Sequence, residues 1–95
     1  MPKRQLTPNE QHRQRLYGLT PFQYRKLLRN QNGVCAICKE INDDGRSLAV
    51  DHDHYTGTVR GLLCTRCNLG LGFFKDEIRL LAEAIVYLED SGYSY

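Results

Sequence analysis

Ninety-five residues carrying 13 basic and 11 acidic side chains give a net charge of +2 at pH 7, and a chain this short encloses a small core within one domain. No apolar run approaches a membrane span, and the N-terminal MPKRQLTPNEQHRQRLYG has no apolar stretch able to act as a secretory signal. The sequence thus reads as a soluble cytoplasmic protein without a membrane partner, whose four cysteines suit metal ligation better than disulfides in a reducing compartment.

Charge is unevenly distributed. Before Cys35 the basic residues Lys3, Arg4, Arg13, Arg15, Arg25, Lys26 and Arg29 face one acid, Glu10. From Asp76 to Asp90, Asp76, Glu77, Glu83, Glu89 and Asp90 face only Arg79. A basic front and an acidic tail fit a protein that meets a polyanion with one side, and equally two solvated helix faces.

In chain order, residues 1–18 read as a basic, flexible arm able to carry a helix across Pro8 to Tyr17, with His12 a plain surface residue. The folded domain is expected over residues 19–95. It opens with Thr20 as N-cap and Pro21 as first helical position, an apolar stripe of Phe22, Tyr24, Leu27 and Leu28, and a stop at Asn32-Gly33. The loop KEINDDGRS carries turn chemistry in Asp43-Asp44-Gly45. Ser47 to Val50 and Thr58 to Leu63 are expected strands of a hairpin turning through Tyr55-Thr56-Gly57. Asn68 to Lys75 is ambiguous, because Gly70 and Gly72 disfavour a helix. Asp76 is expected to cap a final helix whose Ile78, Leu81, Ile85 and Leu88 form a core-facing stripe ending at Ser91-Gly92.

Cys35-Ala-Ile-Cys38 and Cys64-Thr-Arg-Cys67 are two CxxC knuckles with 25 residues between them. A two-residue spacer lets a tight turn aim both thiolates at one ion, and two such pairs in a small domain indicate a closed four-cysteine zinc site. A closed site leaves no position for water, so this zinc would be structural. It also anchors Asn68, the residue directly after the last ligand.

The hairpin contains VDHDH, residues 50–54. A magnesium-dependent phosphodiester hydrolase needs a carboxylate and a second oxygen ligand on the metal, and a base for the attacking water. Asp51 and Asn68 supply the first two, and the His52 imidazole, of a type that titrates near about 6.5 when unperturbed, supplies the third. Regular strand alternation would send Asp51 and His52 to opposite faces. The strand must therefore twist or end there if both are to reach one site. Asp53 receives no chemical role.

From Tyr24 to Leu88 the chain resembles the recombination endonuclease VII family of phage and bacterial HNH nucleases, on LLRNQNGVCAICKE, VDHDHYTGTVRGLLCTRCN, LGFFKDE and AIVYLED. The resemblance implies an α+β fold, a small ββα-metal (His-Me finger) domain with a structural zinc at Cys35, Cys38, Cys64 and Cys67 and flanking helices, and DNA hydrolysis with Mg2+ or Mn2+. It implies Asp51 and Asn68 as ligands of the catalytic ion, His52 as general base and His54 near the scissile phosphate. It also favours a helix through Asn68 to Phe73, against propensity. Where the family's junction-resolving prototype has an acid three positions after the Asn, this chain has Leu71. The prototype also has a longer chain with a dimerising helical region, so a monomer or weak homodimer that nicks duplex or branched DNA is expected here.

Arg25, Lys26, Arg29, Arg60, Arg66 and Lys75 are the expected phosphate contacts, which give salt-dependent and sequence-independent affinity. The alternative is a non-catalytic zinc module that binds DNA or a protein. Zinc knuckles and basic residues fit both; only Asp51, His52 and Asn68 distinguish them.

Overall fold

A computed structural model describes residues 5–90. Lys3 and Arg4 of the basic arm, and the expected stop at Ser91-Gly92, lie outside the described residues. The architecture is α+β: helices α1 (Pro8–Tyr17) and α2 (Pro21–Asn30), strands β1 (Ala49–His52) and β2 (Val59–Leu63), and helices α3 (Thr65–Phe73) and α4 (Ile78–Asp90). The strands form one antiparallel two-stranded sheet.

Helices α1 and α2 begin alike. Thr7 and Thr20 each accept a hydrogen bond from the amide three residues on, while Glu10 and Gln23 reach back to the Thr amides, and Pro stands at the first helical position. This reciprocal cap satisfies donors that a helix start leaves open. Helix α1 ends at Gly18, in the left-handed region at φ 64°. The chain then turns Leu19 into the core.

The core consists of Leu19, Tyr24, Cys35, Leu48, Leu62, Leu63 and Cys64. Two of these seven are cysteines, so the knuckles are part of the core. Tyr24 ties α2 to the strand entry by donating its hydroxyl to the Leu48 carbonyl at 2.7 Å, and the Arg13 guanidinium lies 3.7 Å above its ring. Gln31 extends the sheet edge with its side chain, accepting from the Leu62 amide and donating to the Leu62 carbonyl, both at 2.9 Å. A Cβ at Gly61 would lie 3.2 Å from the Gln31 amide oxygen, so the close approach favours glycine there.

Three expectations need correction. Strand β1 runs from Ala49 to His52 rather than Ser47 to Val50, because pairing with β2 carries the ladder into polar residues that a hydrophobicity pattern reads as loop. Asp76 does not cap α4, which starts at Ile78; it adopts φ 55° and points its carboxylate elsewhere. The α4 stripe is not core: Ile78 is 84% exposed, and Ile85 and Leu88 are 57% and 50% exposed. Periodicity shows that one helix face is apolar but not what covers it.

Candidate active site and metal centre

The two knuckles meet across the core. All four cysteine sulfurs lie within 4.8 Å of one another, and the Cys38 and Cys64 sulfurs are 3.8 Å apart. Zinc–sulfur bonds of about 2.3 Å in a tetrahedron require sulfurs about 3.8 Å apart, so these residues can hold a metal such as zinc. Backbone amides already serve the sulfurs: Ile37 donates to Cys35 and Cys67 to Cys64, each at 3.4 Å.

Electrostatics agree with a cation site. Burial opposes ionisation of Cys35, yet hydrogen bonds from the Cys64, Cys38 and Ile37 backbone bring its pKa down to about 6. Burial first, then its bonds to the neighbouring sulfurs, push Cys67 up to about 12. Four crowded sulfurs cannot all carry charge without a cation among them. Arg66, an expected DNA contact, lies beside this cluster, its pKa raised by hydrogen bonds to Cys38 and then Glu40.

Cys64 caps α3, which places Cys67 and Asn68 side by side in the helix's first turns. Adjacent helical residues diverge by about 100°, so the chain turns from the cysteine cluster to a second site in one residue. That site is a cavity of about 260 Å³ lined by Tyr17, Asp51, His52, His54, Asn68 and Asp76, among others. Asp51 and Asn68 both line it, and both oxygens of Asp51 accept hydrogen bonds from Arg60. Among the described residues, the cysteines are the only group of three or more His, Cys, Asp or Glu side chains close enough to hold an ion.

The hairpin breaks its own register. Asp51 pairs with Gly61 but His52 pairs with Val59, leaving Arg60 as an extra residue in β2. The extra residue lies in β2 and leaves the alternation of β1 itself intact; β1 ends at His52, and Asp51 and His52 both line the cavity. Beyond it, Asp53 accepts from the Tyr55 and Thr56 amides at 2.8 and 3.0 Å, and Gly57 closes the turn at φ 76°. Those amides hold the Asp53 carboxyl below the usual carboxylate range.

The bulged Arg60 grips Asp51 with two bonds, Nε to Oδ2 at 2.7 Å and Nη2 to Oδ1 at 3.0 Å. Its pKa is raised chiefly by that bond, with Asp76 and Asp53 adding to it against burial. A paired guanidinium is the type of cation that a carboxylate fork favours. Arg60, one of the expected phosphate contacts, thus holds the Asp51 carboxylate that lines the cavity. Arg25, Lys26 and Arg29 project from α2 as exposed residues, and Lys75 is likewise exposed.

Two participants were missed by the sequence reading. Asp76 accepts from His54 Nε2 at 2.7 Å and lies 3.5 Å from Arg60 Nη2. It reaches them because Lys75 and Asp76 both adopt left-handed backbone, φ 56° and 55°, a conformation that Asp tolerates better than most residues. Tyr17 is the other: its ring centroid is 5.1 Å from that of His52, which is in turn 5.2 Å from His54. Leu71, where the family prototype has an acid, leaves an auxiliary carboxylate either missing or supplied from elsewhere in the chain, and Asp76 is a carboxylate lining the cavity.

The chain is 49% identical over 73 residues to the Gene 59 protein of Mycobacterium phage D29 and 48% identical over 73 residues to that of Mycobacterium phage L5. Each match covers 76% of this chain and 44% of the phage protein, so the chain spans less than half the length of these relatives. Residues 10–90 match the recombination endonuclease VII profile. The convergent carboxylate, imidazole and amide groups beside a four-cysteine cluster thus occur in a chain that belongs to the recombination endonuclease VII family.

Proposed function

We propose that this chain is a metal-dependent DNA endonuclease of the HNH (His-Me finger) type, acting in the cytoplasm of a host cell, with zinc at the four cysteines and Mg2+ or Mn2+ at Asp51 and Asn68. The observation that carries this reading is the single cavity shared by Asp51, His52, His54 and Asn68, residues drawn from β1, the turn after it and α3.

A divalent ion bound there supplies charge stabilisation as a phosphodiester develops negative charge. Asp51 and Asn68 offer the small number of hard oxygen donors that Mg2+ accepts beside water and phosphate. His52 takes a proton from the attacking water, a contribution of about 10² to 10⁴ in rate, and the Tyr17 ring packed near it restricts its rotation. His54 commits Nε2 to Asp76, which leaves Nδ1 as the nitrogen available to a substrate phosphate. Asp76 also offers Arg60 a second carboxylate, so a cation engaging Asp51 does not strand the guanidinium.

One such site cuts one strand per encounter, so nicking is the expected reaction of a single copy. The test is conversion of supercoiled plasmid to open circle with Mg2+ or Mn2+, alongside Asp51→Ala and Asn68→Ala. Both variants should retain zinc and fold while losing cleavage. Cleavage at the parental rate by Asp51→Ala would remove the ion from the proposed position.

A further inference from the structure

The site cavity opens beside a larger one that the reaction does not use. This groove, about 620 Å³, lies between α1 and the Gly45–Val50 segment and shares Tyr17, Val50 and Asn68 with the site cavity. Its volume falls within the range of about 300–1,000 Å³ typical of ligand sites. Its walls are cationic and polar: His12 and Arg13 on one side, Arg46 and Ser47 on the other, with no carboxylate among the described lining residues. Asn42 holds the second wall in place by donating to the Arg46 and Ser47 carbonyls at 3.1 and 3.3 Å while accepting from the Thr65 amide at the start of α3.

Among the described residues, Arg13 and Arg46 make no ion pair. Arg13 stacks on the Tyr24 ring, which engages the face of the guanidinium rather than its N–H donors. Asp44 feels the charge of Arg46, but its carboxylate bonds Thr65 and the Arg46 backbone amide. Arg15 adds a further guanidinium at the rim, 3.5 Å from His12. By contrast, Arg60 and Arg66 are each engaged with a carboxylate. Arg25 and Arg29 border a separate, mostly apolar hollow that shares no residue with the site cavity.

We infer that this groove receives the sugar–phosphate backbone of the DNA strand flanking the scissile phosphate, with Arg46, Arg13 and His12 contacting successive phosphates. The inference rests on the endonuclease reading and deepens it. A strand lying there enters the reacting cavity past Asn68, whose neighbour Cys67 belongs to the cysteine cluster. α1, read from sequence as an arm, then forms one wall of the substrate path.

The test uses His52→Ala as background, so that binding is read without cutting, and a fluorescein-labelled duplex titrated at several salt concentrations without divalent metal. Arg46→Gln should weaken binding by roughly five- to tenfold and lower the slope of log affinity against log salt by about 0.9, the loss of one phosphate contact. Arg79→Gln on α4, which removes the same charge 75% exposed and outside the groove, should change neither. Zinc content and circular dichroism check that each variant is folded. Equal affinity and slope for Arg46→Gln and Arg79→Gln would overturn the groove. Plasmid nicking by the His52-containing chain is scored separately: nicking unaffected by Arg46→Gln at elevated salt overturns the groove alone, and no nicking by the parent overturns the endonuclease reading itself.

Discussion

The cysteine cluster and the carboxylate–imidazole cluster are built from neighbouring residues of α3, Cys67 and Asn68, yet they are opposite in character. The first is closed: Cys35 and Cys64 are buried, all four sulfurs lie within 4.8 Å of one another, and the Cys38–Cys64 pair has the 3.8 Å separation of a tetrahedral site. The second is open, and its groups are held by exchangeable partners, Arg60 on Asp51 and Asp76 on His54. A closed set of soft ligands retains its ion and supports the fold. An open set of hard ligands with alternative protein partners can admit a cation and a substrate and release them. On the proposed function, the difference separates stability from reactivity within one short helix, and variants in the two clusters should divide accordingly.

The largest effect is expected at the closed cluster. Removing zinc with a strong chelator, or Cys64→Ser, should abolish cooperative thermal unfolding measured by circular dichroism, because structural zinc contributes about 10–16 kcal/mol in small zinc domains and only seven of the described residues form the core. Asp76→Ala should behave oppositely, leaving zinc content unchanged while lowering plasmid nicking by about 10- to 100-fold, as expected when the partner that orients an active side chain is lost. Asp76→Asn keeps an acceptor for His54 and tolerates left-handed backbone, so it should retain more activity than Asp76→Ala. Tyr24→Phe removes the bond to Leu48 and should cost about 1 kcal/mol, seen as a fall in Tm of about 4–8 °C with nicking preserved at moderate temperature.

The smallest effect concerns pH. Asp53 has a depressed pKa from the Tyr55 and Thr56 amides, so its support of the hairpin turn is present above the ordinary carboxylate pKa. It is lost as pH falls through the lower folded value. Asp53→Ala should therefore narrow the difference in Tm between neutral and acidic buffer, and an unchanged difference would show that the turn does not depend on that carboxylate.

The sequence made some of this legible and concealed the rest for identifiable reasons. Local signals read correctly: Thr20-Pro21 starts α2, and the paired CxxC spacing locates the cysteine cluster. Asp51, His52, His54 and Asn68 do line one cavity, and β1 ends at His52 while β2 carries the extra residue opposite it. What failed depends on contacts distant in sequence. Asp before a helix is a common N-cap, and nothing local reveals that residues 75 and 76 take left-handed backbone to send that carboxylate to His54. The polar residues of β1 belong to a strand only through their partners in β2. The helix through Asn68 was read from family resemblance rather than propensity. Its N-cap explains why it forms despite Gly70 and Gly72, since the Cys64 sulfur accepts from the Cys67 amide.

On the proposed function, the open cluster performs the hydrolysis and the closed one holds the fold. The most direct measurement is plasmid relaxation by zinc-loaded wild type and His52→Ala, each with Mg2+ or Mn2+ and each shown to be folded. The expected result is open-circular product from the wild type and a rate lower by about 10² to 10⁴ for His52→Ala at equal zinc content. Parental nicking by His52→Ala, or an intact plasmid with folded, zinc-loaded wild type, would contradict the account.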